Sequence, residues 1–285
     1  MTYGASTKRD RWTDTKDTAV REAIYNILAE EHPATVRSVF YRVVSLGIID
    51  KSDNHYRKVQ RRVLDMRRAG DLPYGWVTDG TRYRRQPDAY DSVNELLDEV
   101  ARFYRRRLWT DHGRHVEVWC EKDALAGVLY PVTATYDVPL MVTRGFSSET
   151  YLYEAGAHLS QLGKPTSIYY IADLDAAGLD LTRQVTERLP RFAPNVEITF
   201  ERIAVTEQQV TDLELITRTP KPRDLKAGLA ACVEADAIAP STLRTIVTSS
   251  IEHHLDPHLV AQLEAVEAEE RRQLERLAAT FGGVA

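Results

Sequence analysis

The sequence predicts an α/β protein in two parts. An N-terminal winged helix-turn-helix over residues 1–87 is followed, after a linking helix over 88–114, by a Rossmann-like parallel sheet with a helical C-terminal extension over 115–285. Three observations predict it. Three helical periodicities and then an Asp79-Gly80 turn fill the first part. Two short apolar runs, Val-Glu-Val-Trp-Cys at 116–120 and Ile-Tyr-Tyr-Ile-Ala at 168–172, read as buried parallel strands. The charge also changes sign along the chain. Up to residue 115 there are 22 Lys/Arg against 17 Asp/Glu, a net of +5 within a chain whose total is −5.

In chain order, residues 15–30 read as one helix, 33–45 as a second and 54–69 as a third that stops at Gly70. In the second, Val36, Val39, Phe40, Val43 and Val44 follow the i, i+3, i+4, i+7, i+8 spacing of a buried face. Residues 76–83 alternate about Asp79-Gly80 and predict a hairpin, the wing. The stretch 88–108 reads as the linking helix and ends in Arg105-Arg106-Arg107. Beyond the sheet, Thr219-Pro220-Lys221-Pro222-Arg223 reads as a loop, and Ala239-Pro240-Ser241 opens a further helix. Asp256-Pro257 supplies the N-cap and first turn of a last one. Leu259, Leu263, Val266, Leu274 and Leu277 give that helix an apolar stripe expected to pack on its own domain, since Glu270 interrupts a coiled-coil repeat.

Composition narrows the classes. Hydrophobic content of 43% with 28% charged residues is that of a globular protein long enough to bury a core. Two cysteines, Cys120 and Cys232, are too few for a disulfide framework. With no secretory signal and no apolar run of about 18 residues, the expectation is a cytoplasmic protein outside any membrane. No Gly-rich nucleotide loop occurs, so an ATPase would have to be a separate partner.

Basic residues crowd the third helix and the wing: Arg57, Lys58, Arg61, Arg62, Arg68, Arg82, Arg84 and Arg85. A bare charge run is usually a solvated face. Here it coincides with the elements that enter the groove in winged helices, so double-stranded DNA is the expected partner.

Three carboxylates end the two apolar runs: Glu121 after the first, Asp173 and Asp175 after the second. Open α/β sheets bind ligands beyond the carboxyl ends of their strands, which would bring the three to one point. In extended chain Asp173 and Asp175 face the same way while Leu174 turns inward. Such a set suits magnesium or manganese, which want oxygen ligands. Lys122, next in the chain, reads as solvated.

Tyr41 lies about 100° round the helix from Phe40, off the apolar face, and four residues from Arg37. A neighbouring guanidinium favours the ionised, nucleophilic phenol. Taken alone, Tyr41 reads as a half-buried packing residue.

The Glu followed by Asp-x-Asp resembles the Toprim signature of topoisomerases, primases and some nucleases. Arg37-Ser38-Val39-Phe40-Tyr41 resembles the Arg-Asp-Ile-aromatic-Tyr stretch of DNA topoisomerase VI A subunits and the related meiotic double-strand-break proteins. Gly145-Phe146-Ser147-Ser148-Glu149 and Asp173-Leu174-Asp175-Ala176-Ala177-Gly178 resemble further turns of that family, without the Pro of its Asp-x-Asp-Pro-x-Gly. The likeness spans about residues 15 to 215, in the same domain order. It implies a stand-alone "mini-A"-like homodimer in which Tyr41, assisted by Arg37, attacks DNA and forms a 5′-phosphotyrosyl link. The family pairs the tyrosine of one subunit with the metal site of its partner. Two other readings are a hydrolytic Toprim nuclease, similar in domain order to the plasmid-cleaving subunit of Wadjet defence systems, with Tyr41 structural, and a DNA-binding regulator with an inactive Toprim scaffold.

Overall fold

Capping residues delimit the first three helices of the computed structural model, which describes residues 12–78, 89–145 and 149–282. They are α1 (Asp14–Glu31), α2 (Val36–Ser45) and α3 (Asp53–Ala69), opened by Thr13, Thr35 and Ser52, whose hydroxyls accept from backbone N–H groups of the first turn. Gly70 ends α3 at φ +85°, a left-handed cap that other residues adopt at a cost. The three helices close on Ile24, Leu28, Val39, Val43, Val59 and Val63, all buried. A short 3-10 turn, Tyr74–Trp76, leads to Val77, which bridges in parallel to Ala34. Trp76 is thus in a turn, where a strand was predicted. Residues 79–83 of the predicted hairpin, Arg82 among them, lie outside the described residues, as do Arg84 and Arg85.

The sheet has four parallel strands, β1 (His115–Cys120), β2 (Leu140–Val142), β3 (Thr166–Ile171) and β4 (Ile198–Ala204), in the order β2-β1-β3-β4. Crossovers α5 (Asp123–Thr135), α6 (Glu149–Leu162) and α7 (Ala176–Phe192) connect them. After β4 come α8 (Glu207–Asp212), α9 (Pro222–Lys226) and α10 (Pro240–Glu252). Pro222 therefore opens a short helix inside the stretch predicted as loop. Side chains alternate across β1. Val116, Val118 and Cys120 join the core under α5 and α10, while Trp119 joins the one under α6 and α7. Every residue of β3 is buried because helices cover both faces. The order in which strands are added to the sheet reverses between β1 and β3, the position at which open sheets form a crevice.

The linking helix is shorter than predicted: α4 runs over Val93–Phe103, and the chain from Tyr104 onward is held by α11 (Pro257–Gly282) instead. Tyr104 and Arg106 donate to Glu270 at 2.7 and 2.9 Å, and Arg271 donates to the Tyr104 carbonyl at 2.8 Å. Polar ties of this kind explain why the predicted stripe of α11 is only partly used, with Val266 and Leu277 exposed. Cys120 and Cys232 are free thiols, both buried. Among the described residues no helix is long and apolar enough to cross a membrane.

The helical unit is fastened to the second part through segment 216–244. Thr35 donates to Asp236 at 2.9 Å, Lys51 to the Thr217 carbonyl at 3.0 Å, and Arg244 to the Glu31 carbonyl at 3.1 Å. Gly127 of α5 sits so close to Thr78 that a Cβ there would lie 1.8 Å from its hydroxyl. These contacts set α2 and α3 above the carboxyl ends of β1 and β3.

Candidate active site

Glu121 and Asp173 come together at the crevice. The Glu121 N–H donates to the Ile171 carbonyl at 2.9 Å, and the Asp173 N–H donates to Glu121 Oε2 at 3.3 Å. Leu174 turns inward as predicted, bridging Val233. Arg202, which no sequence pattern marks out, fixes this loop from below: its Nη1 donates to the carbonyls of Ala172, Asp173 and Val205 at 3.0–3.3 Å. Gly178 lets α7 approach, since a Cβ there would sit 2.2 Å from the Asp173 carbonyl oxygen.

Asp175 departs from the expected convergence. Its Oδ1 accepts from the N–H groups of Ala177 and Gly178 at 3.0 and 2.9 Å, making it the N-cap of α7, and its Oδ2 accepts from Arg218 at 3.0 Å. The helix N-terminus and a guanidinium have claimed both oxygens. Among the described residues, the acidic triad is not among the groups whose ligand atoms all lie within 4.8 Å of one another.

In place of Asp175, two unforeseen acids join the site. Lys122, predicted to be solvated, is largely enclosed and bonds Asp173 at 2.9 Å, Asp236 at 3.0 Å and Glu234 at 3.5 Å. Glu234 and Asp236 stand two apart just after the Leu174–Val233 bridge, an acid-x-acid pattern like that of Asp173 and Asp175. Nothing around them in sequence marks them off. Burial pushes the Glu121 carboxyl up, and the nearby Asp173 adds to it. Burial also raises Asp173, against the pull of Lys122. For Lys122 burial acts downward, but Asp236 and Asp173 outweigh it and hold the ammonium above its usual range.

A hard divalent cation fits here. Glu121 and Asp173 offer oxygen ligands at the switch point, and two half-buried carboxyls that repel each other are relieved by a cation. Lys122 and the Ala235 N–H both donate to Asp173 Oδ1, so neither contact uses Oδ2.

Tyr41 is not on an open flank. It is only 2% exposed, and Ile216 and Ala237 from the second part pack against the helical core to which it belongs. Its ring lies beside Lys51, and with Lys51, Arg37 and Glu234 it lines a cavity of about 490 Å³. The expected ionisation is reversed as well. Burial and the Glu234 charge outweigh Arg37, and the phenol is pushed up to about 12. Arg37 in turn is bound bidentately by Glu234, its Nη2 at 2.5 Å from Oε1. That ion pair stands between Tyr41 and a second cleft, of about 880 Å³, which contains Glu121, Asp173, Glu234 and Asp236.

The basic helix roofs this second cleft. Tyr56, Gln60 and Arg67 of α3 line it, with Arg144 opposite. Arg57, Arg61 and Arg68 are exposed beside that face. Two predicted DNA contacts are spent inside the fold. Arg62 donates to Asp17 and Asp65 at 2.5 and 2.9 Å, tying α3 to α1, and Lys58 lies over the Trp12 ring at 4.4 Å. No protein-family model matches the chain, and no curated protein matches it significantly.

Proposed function

We propose that this protein is a magnesium-dependent DNA-cleaving enzyme of Toprim type, with a winged helix that holds DNA over the cleft. The observation that carries the reading is the cleft itself, with an acidic floor at the sheet's switch point and a basic roof from α3. Glu121 and Asp173 would hold the ion, which when bound supplies positive charge against the phosphate oxygens. Lys122 keeps Asp173 ionised and aimed, while Arg67 and Arg144 hold the strand's phosphates, aided by Arg57, Arg61 and Arg68 outside the cleft.

Hydrolysis is the route the geometry favours. Tyr41 is closed off, protonated at neutral pH and walled from the carboxylates by the Arg37–Glu234 pair. One observation favours the other route: Arg37 shares the cavity with Tyr41 and its charge pulls the phenol toward ionisation, so a rearrangement that opened the Glu234 pair would present an activated oxygen. In that route the Tyr41 oxygen bonds to phosphorus as the bond to the leaving 3′ oxygen breaks, and the homodimer implied by the family would cut both strands. The test uses supercoiled plasmid with magnesium, wild-type protein and Tyr41→Phe. Hydrolysis predicts cleavage by both and free ends. Protein attached to 5′ ends, lost with the single phenol oxygen, would establish transesterification. Binding to DNA without any cleavage would favour the regulator.

A further inference from the structure

The amino end of β1 carries a second set of ligand-type side chains. His115 and Glu117 are two apart on the strand and share the face under α6, from which His158 meets them. Their ligand atoms all lie within 4.8 Å of one another. His115 Nε2 stands 3.1 Å from Glu117 Oε1. Two ligands bonded to a tetrahedral zinc at about 2.0 Å are about 3.3 Å apart, so this pair needs almost no adjustment. The other Glu117 oxygen accepts from Trp119 Nε1 at 2.7 Å, which fixes the carboxylate's orientation in the manner of an outer-shell partner.

Glu117 is the anomaly that calls for a cation. The residue is 2% exposed, and among the described residues its ion pairs include no Lys or Arg, only His115. A buried carboxylate without a full positive charge beside it is costly. His158 is exposed, so an ion has an entry path.

We propose that His115, Glu117 and His158 bind one zinc-class divalent ion, which clamps α6 to β1 and leaves a fourth position to water. Imidazole ligands select zinc, cobalt or nickel over magnesium, so the site differs chemically from the oxygen-only site at the other end of the strand. It does not depend on the protein's being a nuclease.

The experiment is zinc uptake by the full chain. Protein stripped with a chelator is loaded with zinc, desalted and assayed for bound metal. Asp173→Asn is carried in parallel to remove the other candidate site. Wild type and Asp173→Asn should each retain about one zinc per chain, and both should gain thermal stability from it. His158→Ala, a change at an exposed position, should match the wild-type circular dichroism without metal yet lose the zinc and the thermal gain. Glu117→Gln, which keeps the shape, should lose them too. Wild type that retains no zinc, or His158→Ala that retains as much as wild type, would overturn the proposal and leave a histidine-carboxylate hydrogen bond beside an unrelated imidazole.

Discussion

The two ends of β1 use carboxylates in opposite ways. At the carboxyl end, Glu121 and Asp173 open into a large cleft, share their charge with Lys122 and backbone N–H groups, and face a basic helix. At the amino end, Glu117 is shut beneath α6 with two imidazoles and an indole N–H. The carboxyl end gathers several acids around an open cleft, whereas the amino end sets one acid among imidazoles. Strand direction explains the difference, because neighbouring crossovers diverge at the switch point and leave space there, while the other end is closed by helix packing.

The sharpest break of this comparison is Asp173→Asn. If the proposed function holds, cleavage of plasmid DNA should fall at least about a hundredfold, because the change removes a proposed metal ligand and the partner of Lys122. DNA affinity and zinc retention should stay near wild type. Loss of zinc together with cleavage would show that the two ends are one coupled site.

Lys122→Met probes what holds the carboxyl end together. It leaves Asp173 and Asp236 facing one another in a mostly enclosed space without their ammonium. Removing one partner of a buried ion pair costs about 3–5 kcal/mol, to be read as a lower urea midpoint with unchanged slope. Added magnesium should restore part of that loss if Asp173 and Glu121 are its ligands. Full stability without metal would mean that Lys122 is solvated after all.

Much of this architecture was legible in the sequence because it rests on local patterns. The three N-terminal helices, the α2 core face, the strands bearing Glu121 and Asp173, and the inward Leu174 all follow from periodicity and capping. The errors share one cause: contacts between elements distant in sequence. Tyr41 reads as a flank residue, yet it is buried in a core against which Ile216 and Ala237, from the far end of the chain, also pack. Lys122 reads as solvated until Glu234 and Asp236, more than a hundred positions further along the chain, meet it. Asp175 is placed differently from the expectation for another reason, since Asp before Ala-Ala-Gly at a helix start is also a good N-cap, and the two roles have the same sequence signature.

The basic roof gives a smaller effect. Replacing Arg57, Arg61 and Arg68 together by Gln should weaken DNA binding and reduce the salt slope by up to about three, one for each phosphate no longer neutralised. Arg62→Gln should behave differently. Its guanidinium bonds Asp17, whose carboxyl is pushed up by burial but held below its usual range by Arg62 and Trp12. The stability this pair adds is complete above the unfolded carboxylate range near 4 and disappears as pH falls through the lower folded value. Arg62→Gln should therefore lower stability at pH 7 and flatten the acid side of the stability curve while leaving the salt slope of DNA binding nearly unchanged. Equal loss of affinity from Arg62→Gln would return it to the DNA surface.

The smallest expected effect decides whether Asp175 belongs to the chemistry of the carboxyl end or to its scaffold. As N-cap of α7 it needs a side-chain oxygen, and Asn serves as well as Asp in that position. Asp175→Asn should therefore keep the cap and lose only the half-exposed pair with Arg218, worth at most about 1 kcal/mol. Asp175→Ala loses both and should cost about 1 kcal/mol more. Cleavage by Asp175→Asn should fall far less than by Asp173→Asn, since in this structure both Asp175 oxygens are already engaged away from Glu121. A variant as stable as wild type but as inactive as Asp173→Asn would mean that the carboxylate leaves its cap and Arg218 when the ion binds. The acid-x-acid pair would then act together at the strand end, as the sequence alone predicts, and the capped arrangement would be the metal-free state of a three-carboxylate site.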